Sequence, residues 1–313
     1  MPNNQTKALT QGAMMVALFL VLVAVAFYVP VINLIALIFA PLPLAWYSAT
    51  YSRYSAIWVS LLAIATSIFI GNLLILPLAI ILGIVGLIIG DCLRERKSKV
   101  YLLMATGTTV LLTFALQFVL SVYFFNINFI EDGMQMARDN YEQSVEYAAK
   151  FTGEEAQLEE QIKQMFSMME MTLPVSITIS VFVFVFIWLL ALLPILKRLK
   201  VEVPKFAPFR DMRLPRAILW YYLIVLSINL FVQPEFGTAL YVVILNLSMI
   251  LWVLLTLQGI SFIHYTIDAF NYPTYLKVLA TILAIPLYSF VVLIGIVDLG
   301  FNLRDWVKDK SKK

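Results

Sequence analysis

The chain has 313 residues, of which 62% are hydrophobic and only 13% charged, with a net charge of +3 and a mean hydropathy of +0.90. That balance excludes a soluble globular domain and a nucleic-acid-binding protein, and it places the chain among integral membrane proteins. A single cysteine, Cys92, and a single histidine, His264, exclude an intramolecular disulfide and any metal site that needs two of either residue.

The opening stretch "MPNNQTK" runs into an apolar segment with no small-residue cleavage site, so that segment reads as a retained helix and not a signal peptide. Nine apolar segments follow the helical pattern: 8–29, 31–49, 54–70, 73–90, 100–125, 173–196, 217–233, 238–263 and 278–299. The expected fold is therefore all-α and polytopic, with about nine transmembrane helices. In the first segment Ala8 and Gly12, and likewise Ala13 and Ala17, stand four residues apart; the fourth carries Gly83, Gly86 and Gly90. Small-residue stripes of this kind let another helix approach closely, either inside the bundle or from a partner, which makes Gly12, Ala13 and Ala17 candidates for a partner-helix contact. Asn33, Pro41, Pro43, Gly71 and Asn72 punctuate the first ninety residues and predict tight turns between antiparallel neighbours.

Charge sets the expected orientation. The 91–99 connection holds Arg94, Arg96, Lys97 and Lys99, and the 197–216 connection holds seven Lys and Arg residues, so both belong in the cytoplasm together with the N-terminus. Residues 126–172 carry ten acidic and three basic side chains and belong outside. The tail conflicts with this scheme: nine passes leave "RDWVKDKSKK" outside despite its five basic residues, whereas eight passes keep it inside.

The acidic insert predicts a helical hairpin. Ile130, Met134, Ala137, Tyr141, Val145 and Ala148 form one apolar stripe, and Leu158, Ile162, Met165, Phe166 and Met169 form a second. Between them Thr152 and Glu155 have the spacing of a capping box, beside Gly153. Stripes this narrow make a lid over the outer mouth of the bundle or a solvated spacer.

No P-loop, H-E-x-x-H or G-x-S-x-G occurs, and no segment carries a charged residue near its middle, so an enzyme, a metal or cofactor site and a self-energised pump are not expected. Neutral polar residues gather instead near the outer ends of the first six segments: Asn33, Asn72, Gln117, Asn126, Asn128 and Ser176. They are candidates for a pocket that takes a small neutral ligand, or for helix caps and interhelical bonds.

The stretches "ALTQGAMMVAL", "GLIIGDCLRERKSK", "LQGISFIHY" and "GIVDLGFNLRDW", with the acidic loop before the sixth segment, resemble the YybS family of bacterial membrane proteins over nearly the whole chain. Its first six helices are similar in turn to the S components of energy-coupling-factor transporters. The resemblance implies a six-helix core over 1–199 with the acidic insert at 126–172, a basic cytoplasmic linker at 200–216, and a three-helix extension at 217–313 with a basic tail. It further implies a binding or transport-associated module of the bacterial cytoplasmic membrane, energised by a transmembrane coupling subunit and ATPases. Ala13 and Ala17 match the A-x-x-x-A stripe through which S components meet that subunit. The alternative is a scaffold that recruits envelope or division machinery.

Overall fold

A computed structural model of the chain describes residues 4–152, 155–204, 208–301 and 303–310. The described residues are all α-helical apart from turns, and they form two compact units. The first comprises residues up to 141 and 178–204; the second comprises 142–177 and 208–310.

The first unit contains α1 (Asn4–Tyr28), α2 (Asn33–Phe39), α3 (Leu42–Thr50), α4 (Arg53–Thr66), α5 (Ile68–Gly71), α6 (Leu76–Arg94) and α7 (Lys99–Phe125), the start of α8 (Phe129–Thr152) and the last part of α9 (Glu155–Arg198). Serines start two of these helices: the Ser52 and Ser98 hydroxyls accept from the backbone N–H groups of Ser55 and Tyr101, both at 3.2 Å. Polar contacts show how the helices alternate in direction. Tyr47 donates to the Ala8 carbonyl at 3.2 Å, Arg53 pairs with Asp91 at 2.6 Å, and Arg94 donates to the Tyr51 carbonyl at 3.0 Å. The start of α1, the end of α3, the start of α4 and the end of α6 therefore share one face, here the N-terminal face. At the opposite face Tyr28 donates to the Ile70 carbonyl at 2.7 Å, and Gln117 donates to the Pro77 carbonyl at 3.1 Å.

The run Arg53–Arg94 is thus two antiparallel passes and not one long span, because Arg53 meets Asp91 while Ile64 lies over Gly83. With α1, the α2/α3 pair, α7 and the end of α9, the first unit makes six passes, as the apolar segments predict. The sixth is tied to the second, the Trp188 indole N–H donating to the Leu37 carbonyl at 3.1 Å, and it ends at the N-terminal face, where Arg96 pairs with Glu202 at 2.8 Å. Phe19, Leu44, Ile75, Leu82, Ile89, Leu192 and Leu196 fill the core. A lipid chain is as apolar as a leucine, so close approach matters more here than transfer from water. Glycine supplies that approach: a methyl group at Gly86 would meet the Pro41 carbonyl at 2.6 Å, and one at Gly90 would run into the Ala45 carbonyl. The α6 glycine stripe is therefore consumed inside the bundle.

In the acidic insert Ile130, Met134 and Ala137 are the half-buried positions of the first part of α8, as their spacing predicts. Ile162 and Met165 are half-buried and Phe166 is fully buried, whereas Tyr141 and Met169 are exposed. Gly153 of the expected turn, and the side chains of Thr152 and Glu155 in the expected capping box and of Val145, Ala148 and Leu158 in the expected stripes, lie outside the described residues. One boundary differs from expectation. There is no helix break at 172, because α9 is one helix of 44 residues, Glu155–Arg198, that runs from the insert into the sixth pass. Pro174 removes one donor from its ladder, and Asn246 stands at that turn. Its amide donates to the Met171 carbonyl at 2.7 Å and accepts from the Val175 N–H at 3.2 Å.

The second unit adds α10 (Ala217–Ser227), continued by a π-helical turn at Ile228–Val232, α11 (Ala239–Ala269), α12 (Tyr275–Leu283), α13 (Tyr288–Phe301) and α14 (Leu303–Lys310). Helix α10 packs on α11, Val225 and Ile228 clustering with Ile244 and Leu251, and Leu219 with Leu255. The ninth apolar segment then departs from the expected span. Helix α12 starts beside the end of α11, where Lys277 pairs with Asp268, and His264 contacts the Thr281 hydroxyl at 2.9 Å. Ala284 packs on Ile260, and the Tyr288 ring lies 6.5 Å from Trp252, close to the midpoint of α11. Between α12 and α13 the chain bends by 111°, past a right angle. Helix α13 then runs back beside α11: Val291 and Gly295 cross it at Leu255 and Gly259, Asp298 meets Gln258, and Arg304 reaches Ser261 and Tyr265. Pro286 accounts for the break, since it offers no N–H and disfavours helix in the residue before it.

The path of α12 and α13 beside α11 makes the ninth segment a re-entrant hairpin, and the described residues then hold eight passes when α10 with its π-helical turn is counted as one. The basic tail lies at the same end of its unit as the 208–216 turn, which removes the conflict between pass count and tail charge. In a Cys92→Ser background, Ser98→Cys and Lys310→Cys are expected to react with an impermeant maleimide from the same side of the membrane, and Asp132→Cys from the other. Labelling of Lys310→Cys together with Asp132→Cys would restore a ninth crossing.

Candidate functional site

Five of the six polar residues expected to form a pocket lie at the far face of the first unit, and four of them have identifiable local work. Asn72 and Asn126 sit in turns with φ of 58° and 52°, a left-handed conformation that asparagine tolerates better than most residues. The Asn128 carbonyl oxygen accepts from the Glu131 N–H at 3.2 Å and so caps α8. Gln117 ties α7 to α6 through the Pro77 carbonyl. Asn33 opens α2 half-buried. Ser176 belongs to the second unit, where it is exposed on α9.

The three small residues of α1 divide between two faces. Gly12 is buried and points into the bundle, where a methyl group would meet Val59 at 3.0 Å and the Tyr47 hydroxyl at 3.3 Å. Ala13 and Ala17 are exposed, one turn apart, on a surface continued by Leu9, Met14, Leu18 and Val21. Spacing alone could not separate these cases, because Gly12 and Ala13 are neighbours in sequence and a 100° step in direction.

A second polar cluster lies where sequence reasoning placed nothing. Asp298 at the end of α13 and Arg304 in α14 are both buried and form an ion pair at 3.1 Å. Gln258 of α11 donates to the same Asp298 oxygen at 2.6 Å, and its own carbonyl accepts from the Leu214 N–H at 2.9 Å. Arg304 also donates to the carbonyls of Arg210 at 2.6 Å and Met212 at 2.8 Å, and to the Ser261 hydroxyl at 3.1 Å. Ser261 donates in turn to the Phe209 and Met212 carbonyls, at 2.8 and 2.9 Å. One guanidinium thus fastens three elements: the 209–214 turn, α11 and the end of the re-entrant hairpin. Its fork of five donors is what so many acceptors require, and a lysine offers no equivalent. The available signal was an Asp and an Arg six residues apart across "DLGFNLR", a spacing that no single helix face brings together.

Next to this cluster Arg210, His264, Asp268 and Lys277, with Pro208 and Phe209, line an open cleft of about 280 Å³. Asp268 pairs with Arg210 at 2.8 Å and also with Lys277. The hydrogen bond to Asp268 holds the Arg210 guanidinium above its ordinary pKa.

The comparisons agree that the chain is a membrane protein. The model of a predicted membrane protein family, DUF2232, matches residues 17–299. A protein of Bacillus subtilis (strain 168) described as "Uncharacterized protein YybS" is 30% identical over 311 residues, covering 97% of this chain and 100% of that one. No solved structure matches.

Removing one partner of a buried ion pair costs about 3–5 kcal/mol. Arg304→Met is expected to lower stability by that amount in unfolding of the detergent-solubilised protein, since it leaves the buried Asp298 carboxylate without its counter-charge and takes a donor from the Arg210 and Met212 carbonyls. Arg304→Lys should fall between Met and the native residue. A loss under about 1 kcal/mol for Arg304→Met would show that the cluster does not hold the hairpin.

Proposed function

The chain belongs to the DUF2232 family of predicted membrane proteins, and from that premise we propose that it is a non-enzymatic binding or transport-associated module energised by partner proteins. In this reading it lies in the bacterial cytoplasmic membrane with its N-terminus in the cytoplasm, on the side favoured by its basic connections. The observation that carries the reading is the exposure of Ala13 and Ala17 on α1. The bundle uses up the glycines of α6 and Gly12 of α1, yet leaves this stripe uncovered, which suits a transmembrane helix of a coupling subunit arriving from outside. The resemblance of the first six segments to S components, read from the sequence alone, points to the same helix. The far-face residues Asn33, Asn72, Gln117, Asn126 and Asn128 would then border the entry of a small neutral ligand, while Ser176, expected in the same set, belongs to the second unit. The ATPases would bind the coupling subunit.

Ala13→Trp and Ala17→Trp are expected to abolish co-purification of the coupling subunit while leaving membrane insertion and melting unchanged. Gly12→Leu is the control: it overpacks a filled interface and should destabilise the isolated protein by about 1–3 kcal/mol. Melting losses in all three variants would make the stripe internal packing. A wild-type preparation that yields envelope or division proteins and no coupling subunit would favour the scaffold.

A further inference from the structure

The cleft beside the re-entrant hairpin has the makings of a ligand site that the transport reading does not use. Its groups come from three separate elements: Arg210 from the 209–211 turn, His264 and Asp268 from the last turns of α11, and Lys277 from the first turn of α12. The turn is firmly placed, because Ser261 and Arg304 together engage the carbonyls of Phe209, Arg210 and Met212. Two cations share one carboxylate, that of Asp268, while Asp211 stands 3.8 Å from Arg210. Among the described residues Lys277 has Asp268 as its sole carboxylate and shares it with Arg210, so an anion entering the cleft would compete with Asp268 for both cations. The Phe209 ring lies edge-on to His264, with centroids 5.5 Å apart, and forms an apolar wall.

The surroundings specify how an anion would arrive. The cleft opens at the end of the re-entrant hairpin, and α12 presents Tyr275, Val278 and Ile282 beside it with 60% or more of each exposed. In a bilayer that surface is covered by acyl chains, and basic groups at the edge of a membrane-embedded segment attract anionic headgroups. We propose that the cleft binds the headgroup phosphate of an anionic phospholipid, with Arg210 and Lys277 holding the phosphate and α12 receiving the acyl chain. Asp268 is then a competitor for the same two cations, which it occupies when no lipid is bound.

That competition separates the proposal from a plain ion-pair staple. The full chain, in phosphatidylcholine-containing micelles, would be titrated with phosphatidylglycerol and its melting temperature followed. The wild type is expected to be stabilised by phosphatidylglycerol over phosphatidylcholine. Lys277→Gln and Arg210→Gln should each weaken the apparent affinity about fivefold, the worth of one basic group near an anionic surface, and Asp268→Asn should strengthen it by a similar factor. The same phosphatidylglycerol effect in all four proteins would overturn the site. Stabilisation by inorganic phosphate alone, to the same extent, would overturn the lipid as its source. Neither result bears on whether the α1 stripe meets a coupling subunit. Should Asp268→Asn prove unstable, the two glutamine variants still decide the matter.

Discussion

Within a hydrocarbon solvent every polar group must find its partner inside the protein, and the C-terminal part of this chain is organised by that requirement acting on Arg304. A guanidinium is always charged and has no water to turn to at 1% exposure, so the fold brings acceptors to it: one carboxylate, two backbone carbonyls and a hydroxyl. Because those acceptors come from α13, the 209–214 turn and α11, satisfying one side chain closes the hairpin. The return of α13 beside α11 is permitted by Gly259 and Gly295, each of which lies against a backbone carbonyl of the other helix. Asn246 answers the same requirement at Pro174, serving a carbonyl and an N–H on the adjoining turn of α9.

Much of this architecture was legible in the sequence. Apolar length and composition gave the membrane class and the six passes of the first unit, and the punctuation by Gly71, Asn72 and the prolines located the turns. The apolar period marked Ile130, Met134 and Ala137, and again Ile162, Met165 and Phe166, as inward-facing positions of the insert. What failed to show was direction. A run of 22 apolar residues reads the same whether it crosses the bilayer or folds back on itself, and residues 278–299 contain Pro286 as the sole hint of the reversal. The basic tail was the better clue, since its charge disagreed with nine passes from the start.

Site chemistry was harder to read. A stripe of small residues has the same spacing when it faces a neighbour in the bundle, as the α6 glycines do, and when it faces outward, as Ala13 and Ala17 do. Asparagines near helix ends are equally suited to lining a pocket and to capping, and Asn72, Asn126 and Asn128 take the local role in this structure. The Asp298–Arg304 pair was hidden for another reason: its six-residue spacing matches no helix face, and only the reversal of the chain brings Gln258, Ser261 and the 209–214 carbonyls within reach.

The two units use one vocabulary for different ends. In the first, small residues draw helices together and leave one stripe uncovered; in the second, a polar knot holds a hairpin that enters the membrane and leaves by the face it came from. This last feature is the one on which the pass count, the position of the tail and the cleft at Asp268 all rest. It is tested most directly by the distance between spin labels at Tyr272 and Trp306, two exposed positions that follow α11 and lie in α14. The re-entrant path predicts a separation well below the thickness of the hydrocarbon core, because Arg304 lies against Tyr265 with its guanidinium 5.4 Å from the ring centroid. A separation of about 30 Å or more, the thickness of that core, would contradict it.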